Sequence, residues 1–255
     1  MNRVDLHVHS RLSKAFEFDD QVIGRLKRMG QRRGLGGFAL TEHIHAVNFW
    51  AMHEDLQRRY TYRDGYYDVG DGFRMFSGAE ITVGERVDFI LVGDLREIQK
   101  LDAAFHPRMS AANAVAALDF LDEARQRDLI VISAHPFRPG KETAKLPLDE
   151  VFQRVDAVEV NGRDYGTEEA VASLARSYSL PIAGSSDAHY YLQAGIRSTV
   201  IPQSELTLGN IRQAFAERAT KAHCKPYAPQ VVQLCKEIKK AAKLRKEETA
   251  ATVAA

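Results

Sequence analysis

Cysteine is scarce in this chain, with only Cys224 and Cys235 among 255 residues. Two cysteines late in the chain exclude a disulfide framework and the paired cysteine motifs of a structural zinc site. The sequence also contains no apolar run near the ~18 residues that a membrane-spanning helix needs, and its first residues carry no signal-peptide pattern. These absences predict a cytoplasmic protein with no membrane span.

An excess of charge of one sign is missing as well. The 35 basic residues nearly balance the 34 acidic ones, which leaves a formal net charge of +1. Such a balance gives little bulk attraction to nucleic acid or to an anionic membrane, so a nucleic-acid substrate is possible but not indicated. The apolar share of 45% is sufficient for one large core, and the length is typical of a single α/β barrel. Composition leaves the oligomeric state open.

Short apolar stretches alternate with helical patterns along most of the chain. Strands are predicted over Val4–Val8, Phe38–Leu40, Phe73–Ser77, Val87–Gly93, Leu129–Ser133, Ala157–Val160, Pro181–Gly184 and Ser198–Ile201. Helices are predicted over Gln21–Arg33, Ala46–Tyr60, Ser110–Asp128, Glu168–Tyr178 and Leu206–Glu217, and a polar loop over Thr61–Gly72. This alternation is typical of βα units and a mostly parallel sheet. It predicts one α/β domain over residues 1–225.

The tail over residues 226–255 has a different pattern. Its apolar stripe consists of Val231, Leu234, Cys235, Ile238, Ala241 and Ala242, and six basic residues lie between Lys236 and Lys246. A basic amphipathic helix can bind a membrane surface or an acidic partner. The favoured interpretation is a last helix that covers the barrel and leaves its lysines in solvent. Residues after Glu248 are expected to fray.

Two histidines near the N-terminus carry the first chemical signal. His7 and His9 lie two residues apart on a predicted strand, so their side chains point to the same face. Paired imidazoles on one face of a strand are typical of a metal site, although incidental surface histidines give the same pattern.

Other ligand-type residues stand at the ends of the predicted strands. The set at strand ends is His7, His9, His43, Glu80, His135, Asp187 and His189, and Asp88 lies near a strand start. In βα barrels, the residues at the C-terminal ends of the strands form the active site. Imidazoles and carboxylates without thiolates suit Zn²⁺, Mn²⁺ or Fe²⁺. The set exceeds the needs of one zinc ion, so two or three divalent ions that share a bridging carboxylate are predicted.

Six segments, taken in order, resemble the motifs of the PHP (polymerase and histidinol phosphatase) family. They are Asp5-Leu6-His7-Val8-His9-Ser10, Leu40-Thr41-Glu42-His43, Gly78-Ala79-Glu80-Ile81, Ala134-His135-Pro136-Phe137, Val158-Glu159-Val160-Asn161-Gly162 and Gly184-Ser185-Ser186-Asp187-Ala188-His189. The resemblance implies a distorted (β/α)7 barrel, up to three metal ions and the hydrolysis of phosphoesters. It implies three sites: His7, His9, Glu80 and Asp187 for the first ion, His43 and His189 for the second, and Glu80 with His135 for the third.

The chain departs from the family pattern at three positions. Lys14 stands where the family usually has a further ligand of the second metal, and a protonated lysine cannot bind a metal. It can instead place a fixed positive charge near a phosphate. Asp88 replaces a usual histidine and is predicted as an oxygen ligand, which slightly favours Mn²⁺ or Fe²⁺ over Zn²⁺. Glu42 replaces the usual aspartate before His43 and is interpreted as a tolerated change behind the ligands.

Cationic residues follow several of these motifs. Arg138, Arg163 and Arg197 are candidates to bind a substrate phosphate, and Lys14, Arg138 and Arg197 are candidates to act in catalysis. The leading hypothesis is a metal-dependent phosphoesterase in which metal-activated hydroxide attacks a small phosphomonoester or nucleotide. Two alternatives stay open: hydrolysis of another bond such as an amide, and a weak or inactive metal-binding module that binds a partner.

Overall fold

The structure is a computed structural model, and it describes residues 1–13, 16–83, 87–105, 114–141 and 146–254, with the backbone alone for 114–116 and 247–254. Eleven strands form one sheet. The strands are β1 (Asn2–Val8), β2 (Gly37–Leu40), β3 (Thr61–Arg63), β4 (Tyr66–Asp68), β5 (Arg74–Val83), β6 (Val87–Val92), β7 (Ile130–Ser133), β8 (Ala157–Asn161), β9 (Ile182–Ser185), β10 (Arg197–Ile201) and β11 (Lys221–Cys224). Their order is β11-β10-β1-β2-β5-β6-β7-β8-β9, and the hairpin of β3 and β4 is attached to β5.

The sheet curves until its two sides nearly meet. Beyond the end of β9, the backbone N–H of His9 donates to the carbonyl of Ala188 at 2.7 Å, and Val8 and Ala188 form a parallel bridge. This contact brings the last barrel strand next to β1. The predicted α/β barrel with a helical C-terminal extension is therefore confirmed.

Eight α-helices are present in the described part of the chain. They are α1 (Gln21–Arg32), α2 (Phe49–Arg59), α3 (Leu95–Phe105), α4 (Ala114–Gln126), α5 (Leu148–Phe152), α6 (Glu168–Ser177), α7 (Leu208–Ala216) and α8 (Ala228–Ala254). In one large core cluster, Ile23 and Leu26 of α1 lie with Phe38 and Leu40 of β2. None of these helices is both long and apolar enough to cross a membrane.

The other face of the strands lines the inside of the barrel. Ile90, Ile132 and Ala157 on this face form a second buried cluster, to which α7 adds Phe215. Side chains alternate along a strand, so the face of β6 that bears Ile90 also bears Asp88. Apolar side chains therefore fill one layer of the barrel interior. Ionisable side chains such as Asp88 occupy the layer nearer one edge of the barrel.

The prediction of a mostly parallel sheet is wrong. β1 with β2, β2 with β5, β7 with β8, and β8 with β9 are parallel. The other six pairs are antiparallel: β10 with β1 and β11, β4 with β3 and β5, and β6 with β5 and β7. For β6, the physical reason is the short connection from β5. Only three residues separate Val83 from Val87, far fewer than a helical crossover between parallel strands needs.

The segment predicted as the polar loop Thr61–Gly72 contains the hairpin of β3 and β4. Its turn residues Asp64 and Gly65 both have positive φ, at 49° and 73°. Asp-Gly at the centre of a two-residue turn is a strong hairpin signal, because such turns match the twist of the flanking strands.

Tyr67 of β4 is fully buried and its hydroxyl lies 2.8 Å from Nδ1 of His53.

Three further elements were not predicted: α3, α5 and β11. In α3, Leu95, Ile98, Leu101 and Phe105 are buried at helical spacing, and this pattern is visible in the sequence. The predicted helix over Ser110–Asp128 corresponds to α4, and its first residues, 110–113, lie outside the described ranges.

The C-terminal helix covers part of the barrel, as favoured, but its buried face differs from the predicted stripe. Ala228, Val232 and Cys235 are buried, and the first two pack with Ile196, whereas Leu234 is 52% exposed. The backbone is helical to Ala254, past the point where fraying was predicted.

Candidate metal centre

The eight predicted metal ligands meet at one edge of the barrel. The C-terminal ends of the parallel strands bring most of them there, and the antiparallel direction of β6 brings Asp88 to the same edge from a strand start. The ligand set consists of His7, His9, His43, Glu80, Asp88, His135, Asp187 and His189. It divides into overlapping groups of three, and within each group the candidate ligand atoms lie within 4.8 Å of one another.

The first group has His7 and His9 at its centre. Their Nε2 atoms lie 3.0 Å apart. Oε2 of Glu80 lies 3.6 Å from the His7 nitrogen and 3.4 Å from the His9 nitrogen. Oδ1 of Asp187 lies 3.7 Å and 3.4 Å from the same two nitrogens. Two imidazole nitrogens and two carboxylate oxygens thus converge on one point.

The remaining ring nitrogens show that this arrangement fits a metal ion. Nδ1 of His7 lies 2.9 Å from Oε1 of Glu159, and Nδ1 of His9 lies 3.2 Å from Oε1 of Glu42. An N–H that donates to each carboxylate leaves the Nε2 lone pairs of His7 and His9 facing each other. Carboxylates behind metal-bound histidines fix the tautomer and ring orientation in this way. A cation between the lone pairs removes their mutual repulsion.

Electrostatics at these two histidines point the same way. Burial opposes protonation of His7, but Glu159, Asp187 and Glu80 outweigh it and raise its pKa well above the usual 6.5. The pKa of His9 is also raised, against burial, by Asp187 and Glu42. The surrounding carboxylates therefore favour a positive charge at His7 and His9. A divalent ion bound between the two rings supplies this charge while both rings stay neutral.

Glu80 connects this group to the others. Its Oε2 lies 2.7 Å from Nδ1 of His43, and its Oε1 lies 3.0 Å from Nε2 of His135. Burial alone raises the pKa of a carboxyl, but His43, His7 and His135 hold the pKa of Glu80 well below its usual range. A carboxylate with histidines on both oxygens has the geometry of a bridging ligand.

The second group consists of His9, His43 and His189. The ring centres of His9 and His189 are 4.1 Å apart, and those of His9 and His43 are 4.7 Å apart. Burial and the neighbouring His9 lower the pKa of His189 to about 3, so its ring is neutral and able to bind a metal. Lys14, which stands where the family usually has a further ligand of the second metal and was predicted to act in catalysis, lies outside the described residues.

The third group consists of Glu80, Asp88 and His135. Oδ2 of Asp88 lies 3.6 Å from Nε2 of His135 and also contacts Nζ of Lys141, while its Oδ1 accepts a hydrogen bond from Thr82 at 2.7 Å. Oδ1 of Asp88 is thus hydrogen-bonded to Thr82 of β5, and Oδ2 is directed at the cluster.

Two ligands have backbone conformations that L-residues rarely adopt. His135 has φ of 29° and Asp187 has φ of 51°. Such positions cost free energy, and the surrounding structure maintains them where the direction of a side chain matters. The backbone N–H of His135 donates to Oε2 of Glu159 at 2.8 Å, so Glu159 holds both His7 and His135.

Asp5 connects β1 to the backbone on either side of the segment that carries Asp187 and His189. Its buried carboxylate accepts hydrogen bonds from the backbone N–H groups of Ser186 at 2.9 Å and Gly195 at 2.8 Å. Burial raises the pKa of Asp5 to about 6 despite these donors. The aspartate of the first motif therefore positions the site and does not face the cluster.

Two of the predicted cationic residues lie at the ligand set. Nη2 of Arg138 and Nη1 of Arg163 donate to Oδ2 of Asp187, at 2.6 Å and 3.1 Å. Arg138 is also bound to Asp164, whereas Nη1 of Arg163 lies 3.2 Å from Nδ1 of His189. Burial opposes ionisation of Asp187, but Arg163, Arg138 and His7 hold its pKa well below the usual range.

Arg197, predicted as a catalytic and phosphate-binding residue, has a different environment. It is buried and its Nη2 donates to Oε1 of Glu168 at 2.6 Å. The structure gives it no hydrogen bond or ion pair with a ligand of the cluster among the described residues, and its role in the site stays a prediction.

Comparison with known proteins adds solved structures only, since no family model and no curated protein matches the chain. PsfC from Pseudomonas syringae is 27% identical, with a TM-score of 0.78 over 95% of this chain and 100% of PsfC. A lesion-specific endonuclease from Pyrococcus furiosus is 18% identical, with a TM-score of 0.63 over 87% of this chain and 57% of the endonuclease.

A third structure carries the family name. It is a two-domain protein from Bacteroides vulgatus described as containing a predicted PHP-like metal-dependent phosphoesterase. It is 20% identical, with a TM-score of 0.58 over 88% of this chain and 64% of that protein. The chain has the PHP fold. The six motifs therefore predicted the architecture of the PHP barrel, and the endonuclease and the two-domain protein are each longer than this barrel.

One residue of the PHP barrel's site was missed by the sequence analysis. Lys239 of α8 lines a narrow cavity together with Arg163 and His189. It was assigned to the solvated lysines of the tail, although it lies four residues after the buried Cys235 and seven after the buried Val232. That spacing places it on the inward face of the helix.

Proposed function

We propose that this PHP barrel is a metal-dependent hydrolase that cleaves phosphoesters, and that its substrate is a small phosphomonoester or nucleotide. The observation that carries the proposal is the cluster itself: a carboxylate with imidazoles at both of its oxygens, surrounded by further buried ligands. A metal site of this size supports hydrolysis more directly than it supports structure, because structural sites need only four ligands.

The described residues would hold two or three ions, of which Zn²⁺, Mn²⁺ and Fe²⁺ suit the donor set. When bound, such ions lower the pKa of a coordinated water and neutralise charge on the phosphoryl oxygens. Glu159 and Glu42 keep His7 and His9 in the tautomer that offers Nε2 to a metal. Asp5 and Glu159 fix the loops that present Asp187 and His135.

Positive charge beside the ligands supports a phosphate substrate. Arg163 reaches both Asp187 and His189, so its guanidinium borders the second metal group. Arg138 shares Asp187 but is held by Asp164 and Asn161 as well, which suits a role in orienting Asp187. Guanidinium groups match the geometry of phosphoryl oxygens. This cationic border favours a phosphoester over an amide.

An inactive binding module is the weaker alternative. A module without activity has no need for a complete ligand set or for the carboxylates that fix its tautomers, and both are present. A nucleic-acid substrate is a second alternative, since a structure of the endonuclease neighbour holds a duplex with an abasic lesion at its active site. The sequence of that endonuclease is 18% identical to this chain. Metal analysis and a panel of substrates separate the inactive module from an enzyme that acts on nucleic acid.

The test combines metal analysis with a substrate panel. Purified wild type, His7→Ala and His223→Ala would be analysed for Zn, Mn and Fe content. They would then be assayed on phosphomonoesters, a nucleotide diester, an amide and an abasic DNA duplex. His223 lies on β11, outside the ligand set, and serves as the matched histidine control.

We expect two or three ions per chain in wild type and in His223→Ala, with hydrolysis of a phosphomonoester. His7→Ala should lose at least one ion and most of the activity, because His7 belongs to the first group and also to a group with His135 and Asp187. A wild type that binds one ion or none and hydrolyses nothing after Mn²⁺, Zn²⁺ or Fe²⁺ is supplied would contradict the proposal.

A further inference from the structure

The C-terminal helix passes beside the metal centre. Its first turns are anchored by Ala228 and Val232, which pack with Ile196. Farther along, Nζ of Lys246 lies 4.8 Å from the centre of the Phe16 ring, on the loop that follows the His7–His9 strand. Between these two contacts, Lys236 and Lys239 of α8 line a cavity together with His189 of the second group.

A narrow cavity separates α8 from that group. Arg163 and His189 line it from the barrel, and Lys236 and Lys239 line it from α8. His189 belongs to the second group, so the cavity borders the candidate metal centre. The cavity is therefore bounded by the predicted ligand His189 and by three cationic side chains, those of Arg163, Lys236 and Lys239.

Lys239 is the unusual member of this lining. It is half-buried, and within the described part of the chain it makes no hydrogen bond or ion pair. Burial and the nearby Arg163 lower the pKa of its ammonium group to about 8, while Asp187 and Glu42 act in the opposite direction. A half-buried cation next to another cation is unfavourable unless an anion lies between them.

The carboxylates of the site do not supply that anion. Asp187 is a predicted metal ligand that already accepts from Arg138 and Arg163. Glu42 accepts from His9 and Ser10. When divalent ions occupy the ligand set, the charge around Lys239 becomes still more positive. A doubly charged phosphate group is an anion that balances the ions and the two cations together.

We propose that Lys239 and Arg163 form the phosphate-binding pair of the metal centre, and that α8 restricts the site to small phosphomonoesters. The substrate class rests on the proposed function, whereas the anion site is testable without turnover. α8 narrows the approach to the second group at His189 and leaves only a small cavity there, so a DNA duplex would meet the helix before it reached the ligands, whereas a small phosphomonoester would not.

The experiment measures binding of inorganic phosphate to the full chain loaded with Mn²⁺, by titration calorimetry. The variants are Lys239→Met, Lys239→Arg and Lys240→Met. Lys240 is an exposed lysine one position along α8 that does not line the cavity, so it controls for net charge and for the helix.

We expect Lys239→Met to weaken phosphate binding about tenfold or more, the scale of a lost charge-assisted hydrogen bond. Lys239→Arg should stay within about threefold of wild type, because it keeps the charge and the donors. Lys240→Met should bind phosphate like wild type. With a phosphomonoester, Lys239→Met should raise KM more than it lowers kcat. Equal phosphate affinity in Lys239→Met and wild type would overturn the proposal.

Two further outcomes separate this inference from the proposed function. Phosphate binding that depends on Lys239, in a protein that hydrolyses no phosphoester, supports the anion site and contradicts the proposed activity. Cleavage of a DNA duplex with higher kcat/KM than any small monoester would overturn the restriction by α8.

Discussion

His7 and His9 each use one ring nitrogen for support and the other for the cluster. The support comes from Glu159 and Glu42, which are buried and lie behind the rings. Since the tautomer decides whether Nε2 carries a lone pair, we expect these two glutamates to control metal affinity without touching a metal.

Glu159→Gln tests this control. The amide keeps the size of the side chain but no longer offers an anionic oxygen to Nδ1 of His7 or to the backbone N–H of His135. We expect the affinity for Mn²⁺ or Zn²⁺ to fall about 10- to 100-fold. The measurement is a competition titration against a metal chelator.

Glu169→Gln is the matched control, because Glu169 lies on α6 with its side chain 84% exposed. Its metal affinity should equal that of wild type. An unchanged affinity in Glu159→Gln would show that the Nδ1 partner is not needed.

Asp88 is the ligand whose assignment depends most on the structure. Asp88→Asn removes the charge of the oxygen near His135 and leaves a hydrogen-bonding group for Thr82. We expect the variant to hold one ion fewer than wild type by elemental analysis, because an amide oxygen is a weaker ligand than a carboxylate. Asp119→Asn on the exposed side of α4 should keep the full metal content. Equal metal content in Asp88→Asn would remove Asp88 from the ligand set.

The meeting of the predicted ligands at one edge was predictable because most of them follow buried strands, and strand ends of one direction meet at one edge. Asp88 broke this rule in the sequence, since its strand begins where the others end. Glu42 and Glu159 lie within the motifs, and Glu42 was placed behind the ligands, but the ring nitrogen that each of them reaches is visible only in the structure. Lys239 was missed because its partners, Arg163 and His189, are distant in sequence.

At the scale of elements, the direction of β6 has the largest functional consequence. The connection from Val83 to Val87 reverses the chain, and this reversal puts Asp88 opposite Thr82 and near Glu80. The alternation of strands and helices was predictable from hydrophobic periodicity. The direction of β6 was not, because a fully buried strand has the same apolar pattern in either direction.

The docking of α8 can be followed through its cysteine. Cys235 is buried and burial raises the pKa of its thiol to about 11, whereas Cys224 is exposed. We expect a thiol-specific reagent at pH 8 to modify Cys224 rapidly and Cys235 slowly, since the thiolate is the reactive form. The rates would be measured separately in Cys224→Ser and Cys235→Ser variants.

Denaturant should make the two cysteines equally reactive. If α8 docks as the structure shows, Val232→Ala should also accelerate modification of Cys235, because Val232 packs against the barrel one turn away. Rapid modification of Cys235 in the folded wild type would contradict the docked position of α8.

The whole molecule has a net charge of only +1, but its charges are distributed unevenly. Several buried carboxylates and imidazoles face one another at one edge of the barrel, so folding without metal ions depends on protons. Two groups show in which direction pH changes the folding stability. His9 folds with adjacent acids that raise its pKa, and Glu42 folds with histidines that lower its pKa to about 2 against burial.

The combined contribution of Glu42, His7 and His9 to the stability of the metal-free protein should therefore be greatest between about pH 4.5 and 6.5, around the ordinary pKa values of these groups, whereas the lowered pKa of His189 and the raised pKa of Asp5 act in the opposite direction. Glu42, with a lowered pKa, stabilises the fold above its ordinary value of 4.5, and this contribution is lost as pH falls toward 2. His7 and His9, with raised pKa values, stabilise the fold below 6.5, and their contribution is lost as pH rises through the folded values.

Metal ions should counteract the loss of folding stability at alkaline pH, because they bind the neutral imidazoles that protons otherwise occupy. At a hundredfold excess of Mn²⁺ over Kd, one site adds about 2.7 kcal/mol, which raises Tm by roughly 5–10 °C for a domain of this size. We expect this gain in Tm, measured by scanning calorimetry with and without Mn²⁺, to be larger at pH 8 than at pH 6. In His7→Ala the pH dependence of the gain should shrink, since one competing proton site is gone. A gain that is equal at both pH values would show that protons and metal ions do not compete for these histidines.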